Sequence, residues 1–307
     1  MNLRDLTYIL AVERYGSITR AAEACEVTQP TLSAQIGKLE RELGIRIFER
    51  DGRGLRITDA GHTVLEHAKR VAGSVDDLVA AVQGHLDPLA GVLRLGLIPT
   101  LSPYLLPALL PRIQERLPRV SLTVVEEQTV ALLERVHSGT LDAAMIATEI
   151  DDPHVVAAPL FDEPLLVALS AQHPLAKRKA IEPREIDPSS LLLLSEGHCL
   201  RDQALALCKD VTSGAPGDFR AASLETILNL VEAGLGVTIV PELCLTSARP
   251  RREGLKIRAF APKGATRSIS LVYRRSTTRS AVLHELTQLT RQVWQRRQDQ
   301  SARKRFA

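Results

Sequence analysis

Residues 17–58 read SITRAAEACEVTQPTLSAQIGKLERELGIRIFERDGRGLRIT, and this stretch decides the fold of the N-terminal region. Ser17 is suited to cap a short helix that runs to Cys25. Thr28 is suited to cap a second helix, which ends at Gly44 and carries Pro30 in its first turn, where the missing N–H costs no hydrogen bond. Two helices joined by so tight a turn predict a helix-turn-helix.

The residues that follow predict a β-hairpin, or wing. Residues 45–48 and 55–57 are apolar and strand-like, and the glycine-rich stretch at residues 50–54 separates them. Apolar residues at helical spacing before Gly16 predict one more helix at the start of the chain. Residues 1–58 are therefore expected to form a winged helix-turn-helix domain that binds DNA.

The second helix of this motif carries short and medium polar side chains, which suit base edges and phosphates in a major groove. Arginines near the N-terminus and in the wing would contact phosphates regardless of base sequence. The alternative is an ordinary solvated helix face. The candidate DNA contacts are Gln29, Pro30, Thr31, Ser33, Gln35 and Lys38 on the helix, and Arg4, Arg50, Arg53 and Arg56 around it.

Residues 59–90 are predicted to form a long linker helix and a hinge. The helical pattern runs from Thr58 to about Gln83 with an apolar stripe, and residues 84–88 end it. Such a stripe with no partner nearby in sequence favours pairing with a second copy of the helix. The alternative is packing against the C-terminal part of the same chain.

From Gly91 onward the pattern alternates between strands and helices, which predicts an α/β domain over residues 91–307 with a mostly parallel sheet. Its length suggests two lobes, lobe I formed by residues 91–163 and 267–307 and lobe II by residues 164–266. One expected strand covers residues 191–194. The last basic stretch, residues 296–305, is expected to be a solvated tail.

Composition narrows the class of protein. The 307 residues carry a net charge of +3, and aromatic residues are only 3% of the chain, which disfavours base stacking with single-stranded nucleic acid. Four cysteines in a chain of this length suggest a reduced, cytoplasmic protein rather than a disulfide scaffold. The N-terminus has no apolar signal core, and prolines interrupt the most apolar stretch, so no membrane association is expected.

Cys199 lies in the stretch EGHCLRDQA, residues 196–204, which begins a helix that continues through Cys208. A cationic His198, the charge of Arg201 and the helix-start amides would each lower the pKa of the Cys199 thiol. Nine helical residues rise about 13.5 Å, whereas a disulfide needs Cα atoms within about 7 Å. A Cys199–Cys208 bond therefore requires the helix to unwind. The alternative is that both thiols are inert and form no such bond.

Several motifs together resemble the LysR family of transcriptional regulators. They are AA at residues 21–22, TQPTLS at residues 28–33, the pattern from Ile36 to Gly44, Phe48 with Arg50, and Thr58 with Gly61. The resemblance implies a winged helix-turn-helix, a dimerisation helix and a two-lobed effector domain like periplasmic binding proteins. It further implies a homotetramer that binds double-stranded promoter DNA and contacts RNA polymerase, mainly as an activator.

The segment GHCLRDQA with Cys208 resembles the redox segment of the peroxide-sensing members of that family, and stretches along most of the chain agree. The resemblance implies that Cys199 attacks hydrogen peroxide and that Cys208 resolves the product as a disulfide. It places Thr100, Thr129, His198 and Arg267 in the peroxide pocket, and it implies no cofactor and no metal. Residues 209–218, residues 246–256 and the basic tail depart from the pattern.

Three other functions compete with peroxide sensing. A LysR-type regulator could bind an organic effector in the cleft between lobes, but it would not need a cysteine pair at this spacing. A thiol peroxidase would consume peroxide by turnover, which the DNA-binding module argues against. A periplasmic-type binding protein would have no use for that module. We therefore expect a regulator and not an enzyme.

Overall fold

The structure is a computed structural model that describes residues 1–51, 54–208, 223–245, 252–262 and 264–306. The chain forms two units. One consists of Met1–Leu86 with His137–Thr140, and the other of Asp87–Val136 with Leu141–Ala307. Each unit has its own hydrophobic core.

Three short helices open the first unit: α1 (Leu3–Tyr15), α2 (Ile18–Ala24) and α3 (Gln29–Leu43). Ser17 and Thr28 accept hydrogen bonds from the backbone as the N-caps of α2 and α3, as the sequence predicts. Gly44 ends α3 in the left-handed conformation that favours glycine. The predicted helix-turn-helix is confirmed.

The wing consists of β1 (Phe48–Asp51) and β2 (Gly54–Ile57), which pair antiparallel. The predicted first strand, residues 45–48, is wrong by about three residues. The backbone amides of Ile47 and Phe48 donate to the buried Glu40 carboxylate on α3, at 2.8 and 3.2 Å, rather than to a strand. This tertiary contact holds the start of the wing against α3, so the first strand begins later in the sequence than predicted.

Helix α4 (Asp59–Leu86) continues the unit and is close to the predicted linker helix. Leu65 and Ala68 near its start are buried in the same core as α1 and α3. Farther along, Val71, Leu78, Val79 and Val82 remain exposed, Leu78 by 65%. The helix therefore presents an apolar stripe of these four residues, which we call the α4 stripe.

The described residues of the second unit form one sheet of eight strands. The strands are β3 (Gly91–Leu97), β4 (Val120–Glu126), β5 (Ala143–Ile146), β6 (Val155–Ser170), β7 (Ala180–Ile181), β8 (Thr238–Pro241), β9 (Leu255–Phe260) and β10 (Ala265–Arg274). The order is β4-β3-β5-β10-β6-β9-β7, and β8 also pairs with β6.

The expectation of a mostly parallel sheet is wrong, because the sheet is mixed. Strand β3 pairs parallel with β4 and β5, but β6 pairs antiparallel with β8, β9 and β10, and β10 pairs antiparallel with β5. Prolines 159 and 164 interrupt the strand pattern of β6, so its first half was not predicted. The expected strand at residues 191–194 is only an isolated bridge from Leu191 to Val237.

Among the described residues, five α-helices accompany the sheet: α5 (Ser102–Arg116), α6 (Thr129–His137), α7 (Cys199–Leu207), α8 (Leu224–Glu232) and α9 (Ser280–Phe306). The expectation of a solvated basic tail at residues 296–305 is wrong in part. Helix α9 continues through that stretch, and Arg297 Nη2 donates to the carbonyl of Tyr104 at 2.6 Å.

Candidate functional site

Cys199 is the first residue of α7, and the backbone before it is tightly constrained. Gly197 has φ 88°, and a Cβ there would lie 2.2 Å from the Gln128 side-chain oxygen. Gln128 in turn donates to the carbonyl of Glu196 at 3.2 Å. The positive φ favours glycine at this position, so the loop has a defined backbone conformation just before α7 begins at Cys199.

Arg267 is a buried side chain on β10 that the structure brings to Thr100, which follows β3. Its Nη1 donates to the Thr100 hydroxyl at 2.9 Å and its Nη2 to the Thr100 carbonyl at 3.2 Å. Its other edge faces the Glu163 carboxylate, with Nε donating at 2.9 Å. The guanidinium is therefore held on both sides.

The pKa of the Cys199 thiol is higher than its ordinary value, because burial disfavours the thiolate. The nearby Arg267 charge opposes this effect most strongly, followed by the hydroxyls of Thr129 and Thr148 and the Leu200 amide. The expectation of a lowered pKa is thus wrong in direction, although one of its expected sources, an amide at the helix start, does contribute.

The two charged neighbours expected to activate the thiol behave differently from the prediction. Burial lowers the pKa of His198 and so disfavours the cationic imidazole that the sequence analysis expected. Arg201 donates to the carbonyl of Leu194 at 3.2 Å and is not among the groups that lower the Cys199 pKa. Arg267 takes the role that the sequence analysis gave to His198 and Arg201.

Two buried side-chain oxygens, of Thr129 on α6 and of Gln203 on α7, lack ordinary hydrogen bonds within the described part of the chain. Thr129 Oγ1 approaches the Cys199 thiol without good hydrogen-bond geometry, and Gln203 Oε1 has no partner. The Gln203 amide nitrogen donates to the Ala147 carbonyl at 2.7 Å, so the Gln203 side-chain oxygen points away from that carbonyl. Buried polar atoms of this kind are costly unless a ligand or water satisfies them.

Gln203 was missed by the sequence analysis. It lies four residues after Cys199 on α7, so both side chains share one helix face. That spacing was the available signal. Gln203 Oε1 is a buried acceptor without a partner among the described residues, whereas the Thr129 hydroxyl can both donate and accept.

Cys208 ends α7, and its buried side chain has a pKa raised by burial. Periodicity predicts that Cys208 lies on the apolar side of the helix with Ala204 and Leu207; Ala204 is buried with it, and Leu207 is partly buried. All four cysteines are free thiols, and Cys199 and Cys208 stand at opposite ends of an intact helix. The adjoining residues 209–222, which include the predicted departure from the family pattern, lie outside the described residues.

The expected DNA-contacting side chains on α3 are at least partly accessible. Gln29 donates to the Ser33 hydroxyl at 3.1 Å, and this hydrogen bond holds two of these side chains together. Arg56 in the wing pairs with Glu49 at 3.5 Å, and Arg4 lies 5.8 Å from the Tyr8 ring. Arg53 and the side chain of Arg50 lie outside the described residues. Exposed on α3 are Pro30, Thr31 and Lys38, and partly exposed are Gln29, Ser33 and Gln35.

The described residues contain no candidate for a metal site or for a membrane span. No group of three or more His, Cys, Asp or Glu side chains among them is arranged to hold a metal ion. Within the same ranges, no helix has both the length and the apolar character needed to cross a membrane.

A winged helix-turn-helix followed by an α/β domain with a partly buried thiol is the arrangement of a DNA-binding transcription regulator that responds to a signal. Two family models match the chain. Residues 3–62 match the bacterial regulatory helix-turn-helix protein, lysR family, and residues 87–295 match the LysR substrate binding domain. The chain belongs to the LysR family.

Within that family the chain is similar to OxyR proteins. It is 39% identical over 274 residues to the DNA-binding transcriptional dual regulator OxyR of Escherichia coli K12, covering 89% of this chain and 90% of the relative. Full-length Pseudomonas aeruginosa OxyR with a cysteine-to-aspartate change has TM-score 0.78 and 34% identity, covering 95% of each chain. A peroxide-bound cysteine variant of Corynebacterium glutamicum OxyR has TM-score 0.64 and 32% identity, covering 96% and 93%.

Proposed function

We propose that this LysR-family regulator senses hydrogen peroxide through Cys199 and controls antioxidant genes, mainly by activating them. The observation that carries the proposal is the Cys199 thiol itself, whose thiolate is favoured by the Arg267 charge and by the hydroxyls of Thr129 and Thr148. A thiol beside a fixed positive charge and hydroxyl donors suits attack on a peroxide, because the departing oxygen carries negative charge. Similarity to OxyR proteins supports the same reading.

In the first step the Cys199 thiolate attacks one peroxide oxygen and the O–O bond breaks. The sulfur becomes a sulfenic acid, and the departing hydroxide takes up a proton to become water. Because burial raises the thiol pKa, the site must stabilise both the thiolate and the departing oxygen anion. The Arg267 guanidinium and the Thr100 hydroxyl it holds supply that stabilisation.

In the second step the Cys208 thiol attacks the sulfenic sulfur, a disulfide forms and a second water leaves. The two cysteines terminate the same helix, so this step requires α7 to unwind between them. Oxidation thereby replaces one backbone arrangement with another. A redox change of this kind can shift a regulator between two states.

The remaining assignments follow from the regulator function. We propose that residues 1–58 bind double-stranded promoter DNA through α3 and the wing, and that residues 59–90 form the dimerisation helix and hinge. The exposed α4 stripe supports self-association, ultimately as a homotetramer. Residues 91–307 would form the effector domain with the two lobes given above. The protein would act in the cytoplasm, contact RNA polymerase, and not turn over peroxide as an enzyme.

The test follows both thiols by mass spectrometry of alkylated peptides, before and after one or two equivalents of hydrogen peroxide. We expect a Cys199–Cys208 disulfide within seconds and a changed DNA footprint. Cys199→Ser should retain DNA binding and lose the footprint change, whereas Cys208→Ser should stop at a sulfenic acid on Cys199. Cys244→Ser, a buried cysteine outside the proposed pair, is the matched control and should respond normally.

Other outcomes point elsewhere. Two free thiols after exposure to peroxide would refute peroxide sensing and favour a regulator with an organic effector. Sustained peroxide consumption in the presence of a reductant would instead indicate a thiol peroxidase.

A further inference from the structure

Glu163 is a carboxylate on β6 that is fully buried, and both of its oxygens are engaged. One oxygen faces Arg267, with Nε at 2.9 Å and Nη2 at 2.8 Å. The other accepts the backbone amide of Leu243 at 2.7 Å. Leu243 belongs to a 3₁₀ turn at Glu242–Leu245, so the carboxylate is fixed to the backbone on one side and to the guanidinium on the other.

Arg267 is consequently a side chain with little freedom. Glu163 takes one edge of its guanidinium, and Thr100 takes the opposite edge through its hydroxyl and carbonyl. A planar guanidinium held on two edges cannot rotate without breaking several hydrogen bonds. Its charge is the strongest influence that favours the Cys199 thiolate.

The free-energy cost of burying the Glu163–Arg267 ion pair indicates that its role is not stability. Taking two charges fully out of water is expensive, so a buried ion pair is weak evidence for a stabilising role. A hydrophobic pair of similar volume would fill the space at least as well. What an apolar pair could not supply is a positive charge at a fixed place beside the thiol.

We propose that Glu163 is a positioning residue for Cys199 oxidation, which holds the Arg267 guanidinium where it stabilises the thiolate and the departing oxygen of peroxide. This inference rests on the proposed function above. Glu163 acts through Arg267, since it is not among the groups that influence the Cys199 thiol directly.

Other charged groups face Glu163 and enter the pH dependence. The Glu242 carboxylate comes from the 3₁₀ turn and accepts a hydrogen bond from Gln298 at 2.9 Å. Arg297 on α9 adds a positive charge near Glu163. The Arg267 guanidinium bonds to Glu163 and Thr100 rather than to Glu242, so Glu242 provides a neighbouring carboxylate on which the same substitution can be made as a control.

The experiment measures two rates for Cys199 across pH in the full-length Cys208→Ser protein: sulfenic acid formation with hydrogen peroxide and alkylation by iodoacetamide. Glu163→Gln removes the charge and cannot accept on both sides at once. We expect both rates to fall about tenfold at neutral pH, with both profiles moved to higher pH by about one unit. Glu163→Asp should recover part of the loss, and Glu242→Gln should leave both rates unchanged.

A double variant separates positioning from folding. Glu163→Gln alone leaves Arg267 buried without its counter-charge, which can destabilise the protein. Glu163→Gln with Arg267→Met removes both charges and should fold. Its rates should equal those of Arg267→Met alone, because Glu163 has nothing left to position.

The inference is overturned if Glu163→Gln reacts at the parent rate or faster, or if it slows Cys199 further in the Arg267→Met background. Failure of the proposed function is distinct from either result. In that case the parent forms no sulfenic acid with peroxide, while the alkylation profiles still decide whether Glu163 controls the Cys199 thiolate.

Discussion

The disulfide step makes a quantitative demand on α7. Cys199 begins the helix and Cys208 follows its last residue. Nine residues at 1.5 Å each separate their Cα atoms by about 13.5 Å, roughly twice the 7 Å that a disulfide allows. The Cys208 amide still donates to the Ala204 carbonyl at 3.2 Å, so the helix is closed up to the second cysteine. We therefore expect unwinding to precede resolution.

Ala206→Gly perturbs this step alone. Ala206 is exposed on α7 and its side chain is outside the pocket, so the substitution changes helix stability and little else. Glycine in a helix costs about 1 kcal/mol relative to alanine. If unwinding is a rapid equilibrium before the attack of Cys208, that cost raises the unwound population and the disulfide rate about fivefold.

The assay is rapid mixing with peroxide, acid quench and alkylation, with the sulfenic acid and the disulfide quantified as separate peptides. Formation of the sulfenic acid should be unchanged in Ala206→Gly, and its conversion to the disulfide should be faster. Ala281→Gly, at an exposed alanine in the first turn of α9, provides the control and should alter neither rate.

A disulfide rate that is unchanged or lower in Ala206→Gly, with sulfenic acid formation intact, would refute the reasoning. It would mean that Cys208 reaches Cys199 without melting the helix between them.

Three further predictions address other parts of the molecule. Because burial raises the Cys199 pKa, its alkylation rate in Cys208→Ser should increase about tenfold per pH unit through the neutral range, and a flat profile would contradict the assignment. Glu40→Ala should lower the free energy of unfolding of the DNA-binding unit by about 1–3 kcal/mol in urea titrations, since two buried amides lose their acceptor. Leu78→Asp should weaken self-association measured by sedimentation, and an unchanged association state would place the dimer contact elsewhere.

The helix-turn-helix could be predicted from sequence because its signals are local. Ser17 and Thr28 cap the backbone within three residues of themselves, and Gly44 ends α3 by its own conformation. These capping signals can be recognised without knowledge of any contact that is distant in sequence.

The errors in the fold have tertiary causes. The wing starts late because Glu40, seven residues before Ile47, takes the amides that a strand would otherwise use. The sheet is mixed because β6 and β10 pair along ten registered positions, a contact between segments about a hundred residues apart in sequence. Periodicity carries no information about pairing at such separation.

The candidate site likewise contains residues that local sequence predicts and residues that only tertiary contacts reveal. Cys199 and Cys208 stand out in the sequence by their chemistry and spacing, whereas Thr100, Thr129 and Arg267 were placed only by family resemblance. Glu163 was not predicted at all. It lies 104 residues from Arg267 in sequence, and it meets Arg267 only because β6 and β10 are neighbours.

A raised thiol pKa is not a defect in a sensor of this kind. It lowers the thiolate population, and hence the reaction with every electrophile that reaches Cys199, by the same factor. Arg267 and the Thr129 hydroxyl act selectively, because they favour a transition state that carries a departing oxygen anion. The rate of reaction with peroxide, which burial of the thiol lowers, is therefore restored by these groups. The rate with an alkylating agent that releases no oxygen anion is not restored. The ratio of peroxide to iodoacetamide reactivity should therefore fall in Thr129→Val even where the thiolate population is matched by adjusting pH.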